Sequence, residues 1–335
     1  MKFYIITLQK NCQFYRGNNM SFMKSLTITA TLLSTITFIA QAEINVVASV
    51  KPVHSLVSAV MEGIGVPDLI VKGAASPHTY ALKPSQAEQI EKADLVFWMG
   101  HSLETFLEKP LEALGTKAMV VELMDSEGLK KLKMREGGGF DEHDHDEHDE
   151  HSKESHDEHG HGEFDVHVWL DPENAKVMAN EIMEALKKVD PGNAKKYETN
   201  TKKIVEKLNR LVAEISAELS PAKGKGFIVF HDAYQYFEER FGLKAVGSIT
   251  VSPEVVPGVK RIKELKTKIK ELNALCVFSE PQFKPKLVST VVEGTKAKTG
   301  VLDPLGASIQ NGPKLYFIII RDMANSLNKC LSNNV

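Results

Sequence analysis

The chain has 335 residues, 42% of them hydrophobic and 25% charged, with a formal net charge of −3. That profile fits a soluble globular protein with enough apolar side chains for two cores, and it excludes the basic footprint of a nucleic-acid binder. The acids are concentrated: residues 141–163 hold eleven carboxylates and one lysine, so the remainder is mildly basic.

Residues 1–42 read as an N-terminal extension and export signal. Lys24 precedes an apolar, Thr-rich run from Ser25 to Ala40, and Ala40-Gln41-Ala42 has the small-x-small form of a signal-peptidase site. The run is short for a membrane span, which needs ~20 apolar residues. Cleavage after Ala42 is expected, giving a mature protein that starts at Glu43, with translation starting at Met20 or Met23. No cysteine near the cleavage point offers a lipid anchor. Removal of this segment takes Cys12 with it and leaves Cys276 and Cys330, an even pair in an oxidising compartment. They either form a bridge, worth ~4 kcal/mol in the chain-entropy account, or remain two buried thiols.

From Ile44 onward short apolar runs alternate with amphipathic segments. Ile44–Val50 reads as a strand, and Pro52 opens a helix with Val53, Leu56, Val57 and Val60 on one face. Asp68–Val71, Leu95–Met99 and Met119–Val121 read as further strands, with a helix over Ser85–Ala93. Asp171-Pro172 starts a helix that runs to about Lys188. Asp190-Pro191-Gly192 breaks it, and a longer helix follows from Asn193 to Leu219. At 1.5 Å per residue that helix spans roughly 40 Å, more than one α/β layer needs. The alternation then restarts, with strands at 227–230, 245–249, 275–278 and 301–302, and helices over 257–273, 285–298 and 313–330. The pattern is α/β: two similar lobes, each a mostly parallel sheet flanked by helices, with one long helix between them. The expected divisions are 43–190, the linking segment 191–220 and 221–335.

Residues 141–162 contain no apolar side chain, so they cannot build a core and read as a solvated loop in the first lobe. Seven of the twelve histidines stand here among the acids: His143, His145, His148, His151, His156, His159 and His161. Imidazole and carboxylate both bind divalent transition metals. A mobile loop loses entropy to order each site, so these residues are expected to form weak accessory metal sites. The alternative is a solvated acidic linker.

In open parallel sheets ligands bind beyond the carboxyl ends of the strands. Four metal-type residues fall at such places: His78 after the second strand, His167 in a short Val166–Leu170 strand, His231 at the end of the first strand of the second half, and Asp303 at the end of the last strand. Two come from each half, so a metal held by all four lies in the cleft between the lobes. Three imidazoles and a carboxylate suit tetrahedral zinc. Asp303 precedes a proline and is also a turn former, and Glu280 is a rival carboxylate. His54 and His101 read as surface or cleft-rim residues.

The motifs Ser76-Pro77-His78-Thr79-Tyr80, His167-Val168-Trp169-Leu170-Asp171-Pro172, Phe230-His231-Asp232-Ala233-Tyr234, Glu280-Pro281-Gln282-Phe283 and Leu302-Asp303-Pro304-Leu305-Gly306 give the chain a family resemblance. From Ile44 to Cys330 it resembles the periplasmic zinc-binding solute-binding proteins of metal ABC importers, in the zinc-uptake branch with a His-rich loop. The resemblance implies two α/β lobes joined by one rigid helix with Zn2+ between them. It also implies that His78, His167 and His231 are ligands, that Cys276 and Cys330 are disulfide-bonded, and that a monomer delivers zinc to an inner-membrane ABC permease with a cytoplasmic ATPase. Some members carry a glutamate just before the first histidine; Pro77 stands there instead, leaving the fourth position to Asp303, Glu280 or water. Manganese and iron relatives tend to use a carboxylate where this chain has His231, which favours zinc.

Reversible binding rather than catalysis is expected. There is no His-Glu-x-x-His pair, so a zinc hydrolase is the weaker reading; a manganese or iron importer of the same class is the other alternative. Because imidazole binds metal only when neutral, affinity is expected to fall below pH ~6.5.

Overall fold

Strands separated by helices can pair side by side only if each helix returns the chain to the same edge, which makes the pairing parallel. The computed structural model describes residues 44–135, 140, 164–250, 253, 257–271, 274–284 and 286–332. The export signal at 1–42, its cleavage after Ala42 and the histidine run from His143 to His161 lie outside the described residues.

In the first sheet β1 (Val46–Ala48), β2 (Asp68–Leu69), β3 (Leu95–Trp98) and β4 (Met119–Glu122) lie in the order β2-β1-β3-β4. In the second, β5 (Phe227–His231), β6 (Ala245–Thr250), β7 (Cys276–Ser279) and β8 (Lys298–Val301) repeat that order as β6-β5-β7-β8. Every pairing is parallel, so in each sheet the carboxyl ends share one edge. The helices are α1 (Lys51–Val60), α2 (Pro84–Glu91), α3 (Thr105–Leu114), α4 (Pro172–Val189), α5 (Ala194–Glu218), α6 (Gln235–Phe241), α7 (Val259–Glu271), α8 (Lys286–Val292) and α9 (Leu315–Leu331).

The long helix is α5, with 25 residues and a length of ~37 Å. Its buried side is Tyr197, Asn200, Thr201, Ile204, Leu208, Leu211 and Ile215, a stripe at helical spacing. Asn200 is polar in that stripe for a reason: its Nδ2 donates to the carbonyls of Val60 and Glu62, both at 2.9 Å, and so closes the end of α1.

Every residue of α1 is buried, because α1 is wedged among α4, α5 and α9. Two of its polar side chains, Lys51 and Ser55, are satisfied across the lobe boundary, while His54 and Ser58 bond within the first lobe. Lys51 Nζ donates to the carbonyls of Gly306, Ala307 (3.1 Å) and Ile309 (2.8 Å). Ser55 Oγ donates to Gly312 O at 2.8 Å and accepts from Tyr316 N at 3.0 Å. One apolar core accordingly runs through the first sheet, α1, α4, α5, the inner face of the second sheet and α9. A smaller one lies on the outer face of the second sheet under α7 and α8.

Some elements differ from the sequence expectation. The helix expected over 285–298 ends at Val292, where Gly294 (φ +71°) takes the left-handed conformation, and β8 occupies 298–301 instead of 301–302. This strand lies at the sheet edge and is mostly exposed, so no apolar run announced it. Gly300 is required there: a Cβ would stand 2.4 Å from the Phe278 ring. The expected Val166–Leu170 strand is a 3-10 turn over Val168–Leu170, because the Asp165 carboxylate takes the His167 backbone N–H at 3.0 Å and folds the chain back on itself. Helix α3, whose apolar stripe Leu107, Leu111 and Leu114 is interrupted by Pro110, and α6, with only seven residues, are additional to the expected elements. His54 is buried rather than on the surface, with Nε2 at 3.0 Å from Pro67 O.

Cys276 on β7 and Cys330 on α9 form a disulfide across 54 positions. It ties the last helix to the second sheet. Replacing both cysteines by alanine is expected to lower the unfolding free energy by ~2–4 kcal/mol, read as a fall in the urea midpoint. An unchanged midpoint under oxidising conditions would show that the bridge adds nothing.

Candidate metal centre

Three imidazoles meet at the carboxyl edges of the two sheets, and each arrives by a different local device. His78 stands in a 3-10 turn (Pro77–Thr79) in the connection after β2, where Pro77 presets the backbone. Its ring is partly exposed. His167 is held by the Asp165 turn: one carboxylate oxygen accepts both the backbone N–H at 3.0 Å and ring Nδ1 at 2.7 Å. His231 is the last residue of β5, and its Nδ1 lies 2.7 Å from Oε1 of Glu280, the residue just after the neighbouring strand β7.

A carboxylate at 2.7 Å from Nδ1 is a hydrogen bond only if that nitrogen carries the proton, which leaves Nε2 with a lone pair. In both His167 and His231 that lone pair turns inward. His167 Nε2 lies 3.4 Å from His78 Nε2 and 3.3 Å from His231 Nε2. Two donors each ~2.05 Å from a tetrahedral zinc ion stand ~3.3 Å apart, so both edges already have the separation a single zinc ion requires. The space at the meeting point of the rings measures about 10 Å³ and is open on one side, close to the space of a single water. Pro77, Trp169, Phe283, Pro304 and Leu305 supply its apolar walls. Trp169 is fully buried, and its Nε1 donates to Pro304 O at 2.9 Å while its own carbonyl accepts from Tyr316 OH at 2.7 Å. The turn bearing His167 is thereby fastened to the opposite lobe.

Burial sets the protonation of the rings. It pushes His78 down to about 2, and the neighbouring His167 and His231 add to the effect. His167 is likewise driven well below the ordinary imidazole value by burial, with His231 adding to it. Burial pulls His231 in the same direction, but Glu280 outweighs it and the net shift is upward. Burial raises Asp165 to about 7, against the lowering effect of the His167 N–H and the Arg135 charge. Two of the three rings are therefore neutral across the physiological range, and His231 is where a proton competes with a metal.

The carboxylates considered from the sequence are placed differently. Glu280 gives Oε1 to Nδ1 of the His231 ring, while its Oε2 is buried without a partner and the residue lines the same cavity as the three imidazoles. Asp303 accepts from Gln282 Nε2 (3.0 Å) and from the backbone N–H groups of Leu305 (3.2 Å), Gly306 (2.9 Å) and Ala307 (2.6 Å). It shapes the turn that carries Pro304 and Leu305. Among the described residues, His78, His167 and His231 are the group whose donor atoms lie within 4.8 Å of one another. His101 is half-buried, with Nδ1 at 2.9 Å from Glu108 Oε2. Sequence reasoning missed Asp165; its signal was the Asp-x-His spacing, which permits one carboxylate to bond both nitrogens of the histidine.

Comparisons with known proteins identify the family of the chain. Residues 46–330 match the family described as "ZnuA: Zinc-uptake complex component A periplasmic". The chain is 59% identical over 305 residues to the "High-affinity zinc uptake system protein ZnuA" of Brucella suis, covering 86% of this chain and 91% of that one. It is 35% identical over 293 residues to the protein of the same name from Yersinia pestis, covering 85% and 91%. A solved structure described as "Crystal structure of ZnuA" superposes with a TM-score of 0.72 at 25% identity, over 87% of this chain and 100% of that one.

The ring environments give a specific pH dependence. Of the three rings only His231 is shifted upward, and Asp165 behind His167 is raised to about 7, so one to two protons compete with metal as the pH falls through the region above and around ~6.5. Metal affinity is expected to drop about ten- to a hundredfold per pH unit there, the slope for one to two protons. The onset lies higher than that of an unperturbed imidazole. Competition titrations from pH 8 to 5.5 check this; a slope near three, as for three ordinary imidazoles, would contradict it.

Proposed function

The chain belongs to the zinc-uptake complex component A family, and on that premise we propose that His78, His167 and His231 hold the Zn2+ that it captures for import. Its function is periplasmic zinc capture, with zinc as cargo rather than as a resident cofactor. The observation that carries the ligand assignment is that His167 Nε2 lies 3.4 Å from His78 Nε2 and 3.3 Å from His231 Nε2, with donor atoms of all three rings within 4.8 Å of one another. Without a cation, lone pairs that close repel one another; a single ion bonded to all three removes the conflict.

The donor set favours zinc. Three nitrogens face the centre, while Asp165 and Asp303 are engaged elsewhere and Glu280 commits one of its two oxygens to His231. Manganese and iron of the same transporter class prefer sites with more oxygen donors. The fourth position is then taken by water, by the free oxygen of Glu280, or by Asp303 after its turn opens. A hydrolase would need a base beside that water and room for a substrate. The two nearest carboxylates bond imidazole nitrogens, and the cavity is the size of one water. The family is a binding component of a transporter rather than an enzyme.

In the full reading, the chain is exported by a signal cleaved after Ala42 and works as a monomer in the periplasm. The lobes 43–190 and 221–335, with the linking segment 191–220, close around the ion. The loaded protein then delivers zinc to an ABC permease driven by a cytoplasmic ATPase. The histidines from His143 to His161 collect zinc at weaker, exchangeable sites.

Calorimetry on residues 43–335 tests the ligand assignment. His78→Ala, His167→Ala and His231→Ala are each expected to weaken the tight zinc site by more than the ~10–100-fold that loss of an outer partner costs. Retained affinity in any of them would remove that residue from the site, and preference for manganese in competition would favour the alternative metal. Deleting 141–163 is expected to leave one tight equivalent and abolish additional weak binding. An unchanged total stoichiometry would leave that run a solvated linker.

A further inference from the structure

The stretches that flank residues 136–163 form a short stem. Asp165 N donates to Leu132 O at 2.8 Å, and Lys133 pairs with Phe164 in an antiparallel bridge. The stem belongs to the first lobe but rests on α6, the helix that follows His231. Tyr236 OH accepts from Leu132 N at 2.9 Å and donates to Asp165 O at 2.8 Å, and Gln235 Nε2 donates to Lys133 O at 3.1 Å.

Arg135 closes this contact. Its Nη1 and Nη2 donate to the two oxygens of Glu238 at 2.9 and 3.0 Å, and its Nε donates to Asp232 at 3.0 Å, with Nη2 donating there too. Glu238 is itself fixed by accepting from Ala245 N at 2.9 Å, and Phe140 lies over the guanidinium at 3.7 Å. The three charged side chains are only 5–20% exposed. Asp232 is the chain neighbour of His231. At the other end of the stem, Asp165 orients His167. One guanidinium thus joins the segment that aims one imidazole to the segment that carries another, without facing the metal itself.

The fork is what the geometry uses: three nitrogens on two carboxylates at fixed angles, which an ammonium cannot reproduce. The charge alone works in the opposite direction, since a cation near the centre repels Zn2+. These effects have opposite signs and can be separated. Resting on the ligand assignment above, we propose that Arg135 is a positioning residue that fixes the spacing between His167 and His231 and thereby sets how long zinc stays bound.

The test measures the slowest zinc-release phase into excess chelator from residues 43–335, together with the visible absorption of the Co2+-loaded protein. Arg135→Lys keeps the charge and loses the fork, Arg135→Gln loses both, and Glu238→Gln loosens the fork from the other side. Arg321→Gln breaks an exposed pair with Glu214 and serves as control. Arg135→Lys and Glu238→Gln are each expected to release zinc about tenfold faster, the lower end of what an outer partner contributes, with an altered cobalt spectrum. Arg321→Gln should match the parent. Two results would overturn the proposal. One is parental release and spectrum in both Arg135→Lys and Glu238→Gln; the other is parental release in Arg135→Lys with slower release in Arg135→Gln, the mark of a charge effect alone. If Arg135→Lys does not fold, Glu238→Gln decides by the same criterion. If His167→Ala and His231→Ala keep the slow phase, the ligand assignment itself fails; if they lose it while the fork variants behave as the parent, only this proposal does.

Discussion

Two carboxylates, one from each lobe, decide which nitrogen of two imidazoles faces the seam. Asp165 takes the Nδ1 proton of His167 and Glu280 that of His231, each at 2.7 Å. Every other property of the centre follows from this. The inward Nε2 atoms carry lone pairs, burial keeps two of the rings neutral, and the spacing matches one tetrahedral ion. The carboxylates add negative charge behind the rings, which makes the imidazoles better donors.

The scaffold around the centre is unusually continuous for a two-lobed protein. The apolar core passes through α1, α5 and α9 without a break at the boundary. Buried polar groups cross it as well: Lys51 and Ser55 reach the 306–312 turn, Trp169 reaches Pro304, and Arg240 forks onto Asp171 at 2.7 and 2.8 Å. Breaking such a contact leaves a buried donor or charge without a partner, which costs ~1–3 kcal/mol each. Wide rotation of one lobe against the other would break several at once. Small shifts of the His78 turn, the partly exposed side of the centre, or of the stem on α6 disturb far fewer.

Much of this was legible in the residue order. Alternating strands and helices gave the two parallel sheets, because the apolar runs and their helical partners are local patterns. The three histidines could be placed at carboxyl ends for the same reason. What local pattern missed has local causes too. Strand β8 is polar and lies at an edge, α6 is too short to show a period, and the 165–170 turn is governed by one side chain bonding its own backbone. Hydrophobic alternation carries no record of such a bond.

Residue type and spacing along the chain were enough for the fold class, the linking helix and the placing of three imidazoles at strand ends. The pairing of Cys276 with Cys330 and the partners of the acids follow from contacts in space. Asp165, Glu280 and Asp303 are chemically alike as possible ligands. Their functions differ because Asp165 and Glu280 meet ring nitrogens and Asp303 meets a turn of backbone N–H groups. Which donor a carboxylate meets is set by contacts between segments far apart in the chain. His231 and Glu280 are 49 residues apart in sequence and 2.7 Å apart in space, a proximity created by the pairing of β5 with β7. The histidine run after residue 141 announced a metal, but the candidate centre is the set of isolated histidines that those long-range pairings bring together.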